Sequence, residues 1–357
     1  MQVSNFIWIG DEPVSERSFS TAADLLRFLP EMSGQFAIHM KEHNGGELLV
    51  RDPLGVNKLF FAVGADTVES SNFLIDLIRR GHRLSEVFSV PSGHSISVHT
   101  FEQKLELKKY RKLEFAQSGA TTHSLDDYAF VIRERMAEVF HRLRKVLYGR
   151  RLFVTLSGGL DSTTIAVAAR QYLGEFTAVT FAMNDDRGQP EPSEDLHFAT
   201  LVAAELGVPI ETVFATPDEI SALLDVALTY GQDWREFNVH CALVNARIAE
   251  HLAKTSLSGR SGRPVVLTGD VMNELMADYA PVTFREREFY SLPRLPSDRL
   301  RRFLVSGLDS GDREVGVFSY FGMDVIQPYA MLADVYASLP AAHIQNVDSK
   351  KRLVRKI

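Results

Sequence analysis

The run Leu152-Phe153-Val154-Thr155-Leu156-Ser157-Gly158-Gly159-Leu160-Asp161-Ser162-Thr163-Thr164 passes from apolar, β-branched residues through two glycines and resumes as Ile165-Ala166-Val167-Ala168-Ala169-Arg170. That order reads as strand, tight loop and helix. Such a turn binds anions. Its glycines let the backbone approach a phosphate, the free N–H groups at the helix start add partial positive charge, and Ser157, Ser162 and Thr163 offer hydroxyl donors. A carboxylate belongs in an anion site only when a cation accompanies the anion, so Asp161 reads as a Mg²⁺ ligand beside a polyphosphate. The plainer alternative is a glycine turn that only joins strand to helix. The γ-phosphate loop Gly-x-x-x-x-Gly-Lys-Ser/Thr does not occur in the chain.

On the amino-terminal side of that run, Leu125, Tyr128, Val131, Ile132, Met136, Val139, Phe140, Leu143 and Leu147 recur at helical spacing between Ser124 and Gly149. On the carboxyl side the pattern predicts a strand at 176–183, a helix from 193 to 206 and a strand at 209–214. Helices at about 217–230 and 238–254 and a strand at 264–269 follow. Strands alternating with helices imply a parallel sheet whose ligands bind beyond the carboxyl ends of its strands, where Ser157 and Thr268 both sit.

Residues before 110 read differently. A strand at 6–10, a helix at 20–29 stopped by Pro30, a hairpin of 35–40 and 47–52 across Asn44-Gly45-Gly46, and a strand at 58–63 are predicted. A helix at about 72–80 and strands near 93–98 and 105–107 complete a mostly β unit.

At 357 residues the chain accommodates about two domains. The pattern divides it into 1–117, a small polar linker at 118–124, and 125–357. A hydrophobic share of 45% and a charged share of 24% are those of an ordinary globular protein. The net charge of -7 gives no footprint for nucleic acid, which argues against a tRNA substrate. No apolar run spans a bilayer and no basic region precedes an apolar start, so no membrane association and a cytoplasmic location are expected. Cys241 is the single cysteine, which excludes an intramolecular disulfide or a cysteine zinc cage. His39 and His43 run off a strand into a turn, where that spacing does not converge on a metal.

The Ser-Gly-Gly-Leu-Asp-Ser string resembles the pyrophosphate loop of the ATP pyrophosphatase superfamily, which cleaves ATP between its α and β phosphates. A second stretch, Thr268-Gly269-Asp270-Val271-Met272-Asn273-Glu274-Leu275, resembles the Ser-Gly-Glu/Asp-Gly-x-Asp-Glu-Leu of asparagine synthetases. Tyr320-Phe321-Gly322-Met323-Asp324-Val325-Ile326-Gln327-Pro328-Tyr329 and Lys350-Lys351-Arg352-Leu353 continue the likeness, which covers 125–357 well. β-Lactam synthetases and lasso-peptide macrolactam cyclases share this scaffold. The fold therefore does not fix the substrate.

The resemblance implies an α/β, parallel-sheet ATP pyrophosphatase domain using ATP and Mg²⁺. It places Ser157, Gly158, Gly159, Asp161 and Ser162 on pyrophosphate, Thr268 and Gly269 near adenosine, and Asp161 and Asn273 at the metal. It further places Asp270 beside an attacking amine as its holder or base, and Lys351 where negative charge develops on phosphorus or pyrophosphate. The alternatives are a helix cap for Asp270 and a solvated basic tail for Lys351, beyond which the chain soon ends. Asn273 stands where the family has a second metal-binding aspartate, which weakens the Mg²⁺ site. Ile326 replaces an arginine and Met331 an aspartate, as though an ion pair had been lost. Val271-Met272 replaces small residues, implying a smaller or reshaped acyl pocket. Glu236 and His240 lie one helical turn apart and can face the cleft, although an ion pair of Glu236 with Arg235 is the better reading.

Ser33-Gly34-Gln35-Phe36-Ala37 and Arg51-Asp52-Pro53-Leu54-Gly55-Val56-Asn57-Lys58-Leu59-Phe60-Phe61 resemble the later part of the class II glutamine amidotransferase domain. That family's nucleophile is an N-terminal cysteine, whereas this chain begins Met1-Gln2. Residues 1–117 are therefore expected to be a shortened, non-hydrolysing structural remnant, with partner or leader-peptide binding as the lesser option.

The expectation is an AMP-forming ligase that joins a small-molecule or peptide carboxylate to an amine or ammonia. A homodimer or a pathway partner protein is compatible with it. The rivals are a nucleotide-binding scaffold without activity, and nucleobase amination or tRNA sulfur insertion.

Overall fold

The computed structural model describes residues 2–42, 45–64, 67–99, 104–111, 124–256, 262–272, 275, 282–284, 287–289, 312–339 and 354–356. The first part is antiparallel throughout. β1 (Phe6–Ile9), β2 (Glu12–Val14) and β3 (Met32–Gln35) form one sheet in the order β2-β1-β3. Helix α1 (Ala22–Phe28), capped by the Thr21 hydroxyl, buries Leu25 against Ile7, Met32 and Phe36. β4 (Ala37–Lys41) and β5 (Gly46–Arg51) make the expected hairpin. β6 (Phe60–Val63), β7 (Val68–Ser71), helix α2 (Leu74–Arg79), β8 (Val87–Ser89), β9 (His94–His99) and β10 (Lys104–Lys109) follow. They complete sheets ordered β7-β6-β8 and β10-β9-β5-β4.

The Arg51-Asp52-Pro53-Leu54-Gly55 motif is explained by its own backbone. The Asp52 carboxylate is fully buried and accepts the N–H groups of Leu54 (3.1 Å), Gly55 (2.6 Å), Val56 (3.0 Å), Asn57 (2.9 Å) and Phe36 (3.3 Å). Burial pushes its pKa up to about 6, against the pull of those donors and of Arg51. Arg51 donates to the carbonyls of Gly55 (2.7 Å), Asn57 (3.0 Å) and Val90 (3.1 Å). Between them the two side chains satisfy a turn that would otherwise bury bare peptide groups. His39, on β4, lies 2.6 Å from Glu47 on β5 and 2.8 Å from Ser70 on β7, and so ties two sheets together.

The second part is built on one parallel sheet. α3 (Leu125–Leu147) begins at Ser124, whose hydroxyl accepts from Asp127, so Ser124 caps a helix and does not belong to the linker. Residues 118–123 lie outside the described residues. β11 (Leu152–Thr155), α4 (Leu160–Tyr172), β12 (Thr177–Met183), α5 (Glu194–Leu206) and β13 (Ile210–Ala215) alternate as the sequence implies. The helix expected at 217–230 is two helices, α6 (Pro217–Ser221) and α7 (Leu224–Gly231). Between them the Leu223 N–H turns to the Ile220 carbonyl at 3.0 Å, a tighter 3₁₀-type step. Next come α8 (Glu236–Ser256), β14 (Val265–Leu267), a hairpin of β15 (Val282–Phe284) and β16 (Arg287–Phe289), α9 (Asp312–Tyr320), β17 (Asp324–Ile326) and α10 (Ala333–Ala337).

The parallel sheet is ordered β13-β12-β11-β14-β17. Successive strands run outward on one side of β11 and then on the other. The order reverses at β11, and the segments that follow β11 and β14 lie at that point, which is where such sheets bind ligands. The sheet's core cluster includes Phe153, Val154, Val266 and Phe318 and also takes in Phe6, Trp8, Leu54 and Phe73 from the first part. No helix among the described residues is long and apolar enough to cross a membrane.

Asp52→Ala leaves buried N–H groups without an acceptor. Urea unfolding should show a loss of about 2–4 kcal/mol.

Candidate active site

The loop after β11 gives its glycines different tasks. Gly158 has φ +77°, and a Cβ there would lie 2.3 Å from the Cβ of Phe198 and 2.7 Å from the backbone N of Ala199. Gly158 is thus required for close packing on α5. Gly159 is the N-cap of α4 with an ordinary φ of -69°, and only Ser157 Oγ, at 3.3 Å, crowds its Cβ position. A Cβ on Gly269, just past β14, would sit 2.8 Å from the Ser162 N and 2.9 Å from the Ser162 Cα. Gly269 therefore lets the end of β14 rest on the first turn of α4. The sequence reading gave these glycines to the nucleotide. Gly158 and Gly269 also answer to helix and strand packing.

Hydroxyls knit the loop. Ser162 Oγ accepts from the Ser157 N–H (3.2 Å) and lies 3.2 Å from the Gly159 carbonyl, to which it donates. Ser157 Oγ lies 3.1 Å from Ser162 Oγ and accepts from the Gly159 N–H at 3.3 Å. Ser162 is mainly the internal brace, which leaves Ser157 as the hydroxyl at the mouth. From beneath, the Tyr329 hydroxyl donates to the Asp161 carbonyl at 3.1 Å. Burial raises the pKa of that phenol, so it stays a donor.

A cleft of about 370 Å³ opens above the loop. Ser157, Asp161 and Ser162 line it from the loop, Gly269 and Asp270 from the end of β14, Val179, Thr180 and Phe181 from β12, Asp195 from α5, and Val244 and Ile248 from α8. Two stretches more than a hundred residues apart in sequence thus meet on one cavity. Thr268 is buried, and it is Gly269 that reaches the wall. Asp270 is 31% exposed and lies 3.7 Å from the guanidinium of Arg313 on α9.

The sequence reading missed Thr180, Phe181, Asp195, Val244 and Ile248. Thr180 is a polar residue interrupting an apolar strand, 2% exposed, and its hydroxyl has no hydrogen-bond partner among the described residues. A buried hydroxyl in that condition on a cleft wall is a signal the strand pattern carried. Asp195 looks like any acidic residue in a first helical turn, and only the fold aims it inward. Burial, then Glu194, raises its pKa.

Asn273, Lys350 and Lys351 lie outside the described residues. Glu236 and His240 are exposed and do not line the cleft, while Arg235 pairs with Asp233. Val271 and Met272 are buried in the core cluster and do not narrow the cleft directly. Val271 has φ +79°, a left-handed conformation that strains a β-branched residue by about 1–3 kcal/mol. A small residue at that position would meet this backbone requirement. Ile326 is wholly buried in the same core, and Met331 packs at its margin.

The residues present suit a polyphosphate with a divalent cation. The N-terminus of α4 faces the cleft with the Ser157 hydroxyl, two carboxylates (Asp161 and Asp195) line it, and an apolar wall flanks an unpartnered Thr180 hydroxyl.

Residues 144–314 match the model of the asparagine synthase family. No curated protein matches the chain in sequence. An NH3-dependent NAD synthetase from Campylobacter jejuni subsp. jejuni, solved in complex with the nitrate ion, is similar at 16% identity and a TM-score of 0.29. That match covers 44% of this chain and 62% of the synthetase chain, which is less than two thirds of its length.

Gly158→Ala and Gly159→Ala should separate sharply in urea unfolding. The first should lose about 2–4 kcal/mol through its clash and positive φ, and the second less than about 1 kcal/mol.

Proposed function

We propose that this chain is an ATP-dependent, AMP-forming carbon–nitrogen ligase of the asparagine synthetase type. The observation that carries the reading is the meeting of the phosphate loop and Asp270 in one cleft where the strand order reverses. The match of residues 144–314 to the asparagine synthase family supports it.

A substrate carboxylate oxygen attacks the α-phosphorus of ATP, the bond from that phosphorus to the bridging oxygen of the β-phosphate breaks, and pyrophosphate leaves. The nitrogen of an amine then attacks the acyl carbon, the carbon–oxygen bond to AMP breaks, and the amine gives up a proton. Gly159 and the amides opening α4 hold the departing phosphates, with Ser157 adding a hydroxyl donor. Asp161, with Asn273 as a weaker companion, would hold Mg²⁺, which neutralises phosphate charge when bound. Lys351 would add positive charge to pyrophosphate. Gly269 borders the nucleoside side, with Thr268 buried behind it. Asp270 orients the amine and takes its proton. Fixed charges of this kind, aimed where charge develops, are usually the largest catalytic term.

An amine-bearing substrate is the simplest nucleophile, because it needs no tunnel to carry ammonia to the cleft. We read 1–117 as a non-hydrolysing module and 125–357 as the synthetase unit. The second reading is a nucleotide-binding scaffold, favoured by Asn273 at the metal position.

Calorimetry should detect Mg·ATP binding, weakened at least about tenfold (~1.4 kcal/mol) by Asp161→Asn and by Gly159→Ala. Asn273→Asp should tighten it at low Mg²⁺. Absence of any Mg·ATP association would end the ligase reading. Binding without pyrophosphate release across a panel of carboxylates and amines would favour the scaffold.

A further inference from the structure

Gln35 ends β3 in the antiparallel part, far in sequence from the cleft, and it is 1% exposed. Its side-chain amide meets the outer edge of the parallel sheet twice. Nε2 donates to the Val325 carbonyl at 2.5 Å, and Oε1 accepts the Gln327 N–H at 3.2 Å. β17 is the edge strand there, so one amide side chain supplies the donor and acceptor that a neighbouring strand would supply.

From this point a buried polar line runs to the cleft. The Gln327 amide donates to Glu314 at 3.4 Å, and Glu314 pairs with Arg313 at 2.8 Å. Asn245 and Asn238, both on α8, fix that pair by donating to Glu314 (3.1 Å) and accepting from Arg313 (3.1 Å). Arg313 then faces Asp270 at 3.7 Å. Gln327 and Glu314 are fully buried and Arg313 is 4% exposed. Side chains this enclosed have few alternative rotamers, so displacing one member displaces the next.

We propose that Gln35 is a positioning residue for Asp270, acting through Gln327, Glu314 and Arg313, and that the antiparallel part serves the cleft by holding this line. The assignment rests on Asp270 being the amine-side carboxylate. The link itself can be tested whether or not that role holds.

The test compares wild type with Gln35→Met, which keeps volume but neither donates nor accepts as an amide. Amide hydrogen exchange across 312–320 and 268–272 should accelerate at least tenfold, exchange in 157–164 should stay within twofold, and carbodiimide labelling of Asp270 should rise several-fold. The Kd for Mg·ATP, where wild type binds it, should stay within twofold. A purely structural contact would change 312–320 alone, or every segment equally, and either result overturns the proposal. So does unchanged labelling of Asp270. If Gln35→Met does not fold, Gln327→Met interrupts the same line one step later and must produce the same pattern confined to 268–272 and α9. Failure of wild type to bind Mg·ATP would sink the ligase reading. The exchange pattern would still decide whether Gln35 governs Asp270.

Discussion

The backbone of Gly269 lies against the backbone of Ser162, so closely that a Cβ would fall 2.8 Å from the Ser162 N. The rest of the site depends on that contact. The register of β14 on β11 (Leu152 with Val265, Phe153 with Val266, Val154 with Leu267) brings the two strand ends level. Only a residue without a side chain lets the chain leaving β14 settle on the first turn of α4. Asp270 then lines the same cleft as the loop after β11. Gly158 does the same on the other flank, where the loop meets Phe198 and Ala199 of α5. The loop is held from both sides, and its hydroxyl bonds adjust its shape without having to create it.

Once the walls are fixed this tightly, the protein can carry local costs. A left-handed valine at 271 spends about 1–3 kcal/mol of a total that is only about 5–15 kcal/mol for a typical domain. It persists because Val271, Met272 and Leu275 are all buried in the main core, so relaxing the backbone would expose apolar surface. The Arg313–Glu314 pair follows similar logic. A buried ion pair stabilises little against an apolar substitute, but removing one partner is expensive, so its value here is geometric. Asp52 is the contrasting case. Its partners are backbone N–H groups within a few residues or at Phe36, between β3 and β4, and it specifies a turn locally without reaching the cleft.

Much of this was legible in the sequence. The strand–loop–helix at 152–172, the alternation that follows it, the 37–51 hairpin and the α3 stripe all carry apolar periodicity strong enough to survive folding. What escaped has no period. β3 (Met-Ser-Gly-Gln) and β7 (Val-Glu-Ser-Ser) are short and polar, and their strand state comes from pairing, not propensity. β17 was seen only as part of a family-like string, although its neighbours make it the sheet edge. Thr180 and Asp195 belong to the cleft because of where β12 and α5 are placed, which no local pattern encodes. The acceptable side chain at 271 depends on a φ value, and a sequence shows size before it shows dihedral angle.

Why, among the described residues, the sheet edge should be met by one glutamine instead of a full strand follows from what lies behind it. A paired sixth strand would satisfy Val325 and Gln327 but would be indifferent to the side chains on their inner face. An amide from β3 does both jobs, because placing Gln35 against Val325 and Gln327 also sets the position from which the Gln327 side chain reaches Glu314. The same β3 pairs with β1, which sends Phe6 and Trp8 into the core of the parallel sheet. Apolar burial therefore holds the antiparallel part in place, and the polar contact at Gln35 fixes its register on the edge strand. Divided in this way, adhesion comes from surfaces that tolerate small shifts, and alignment comes from a hydrogen-bonded pair that does not.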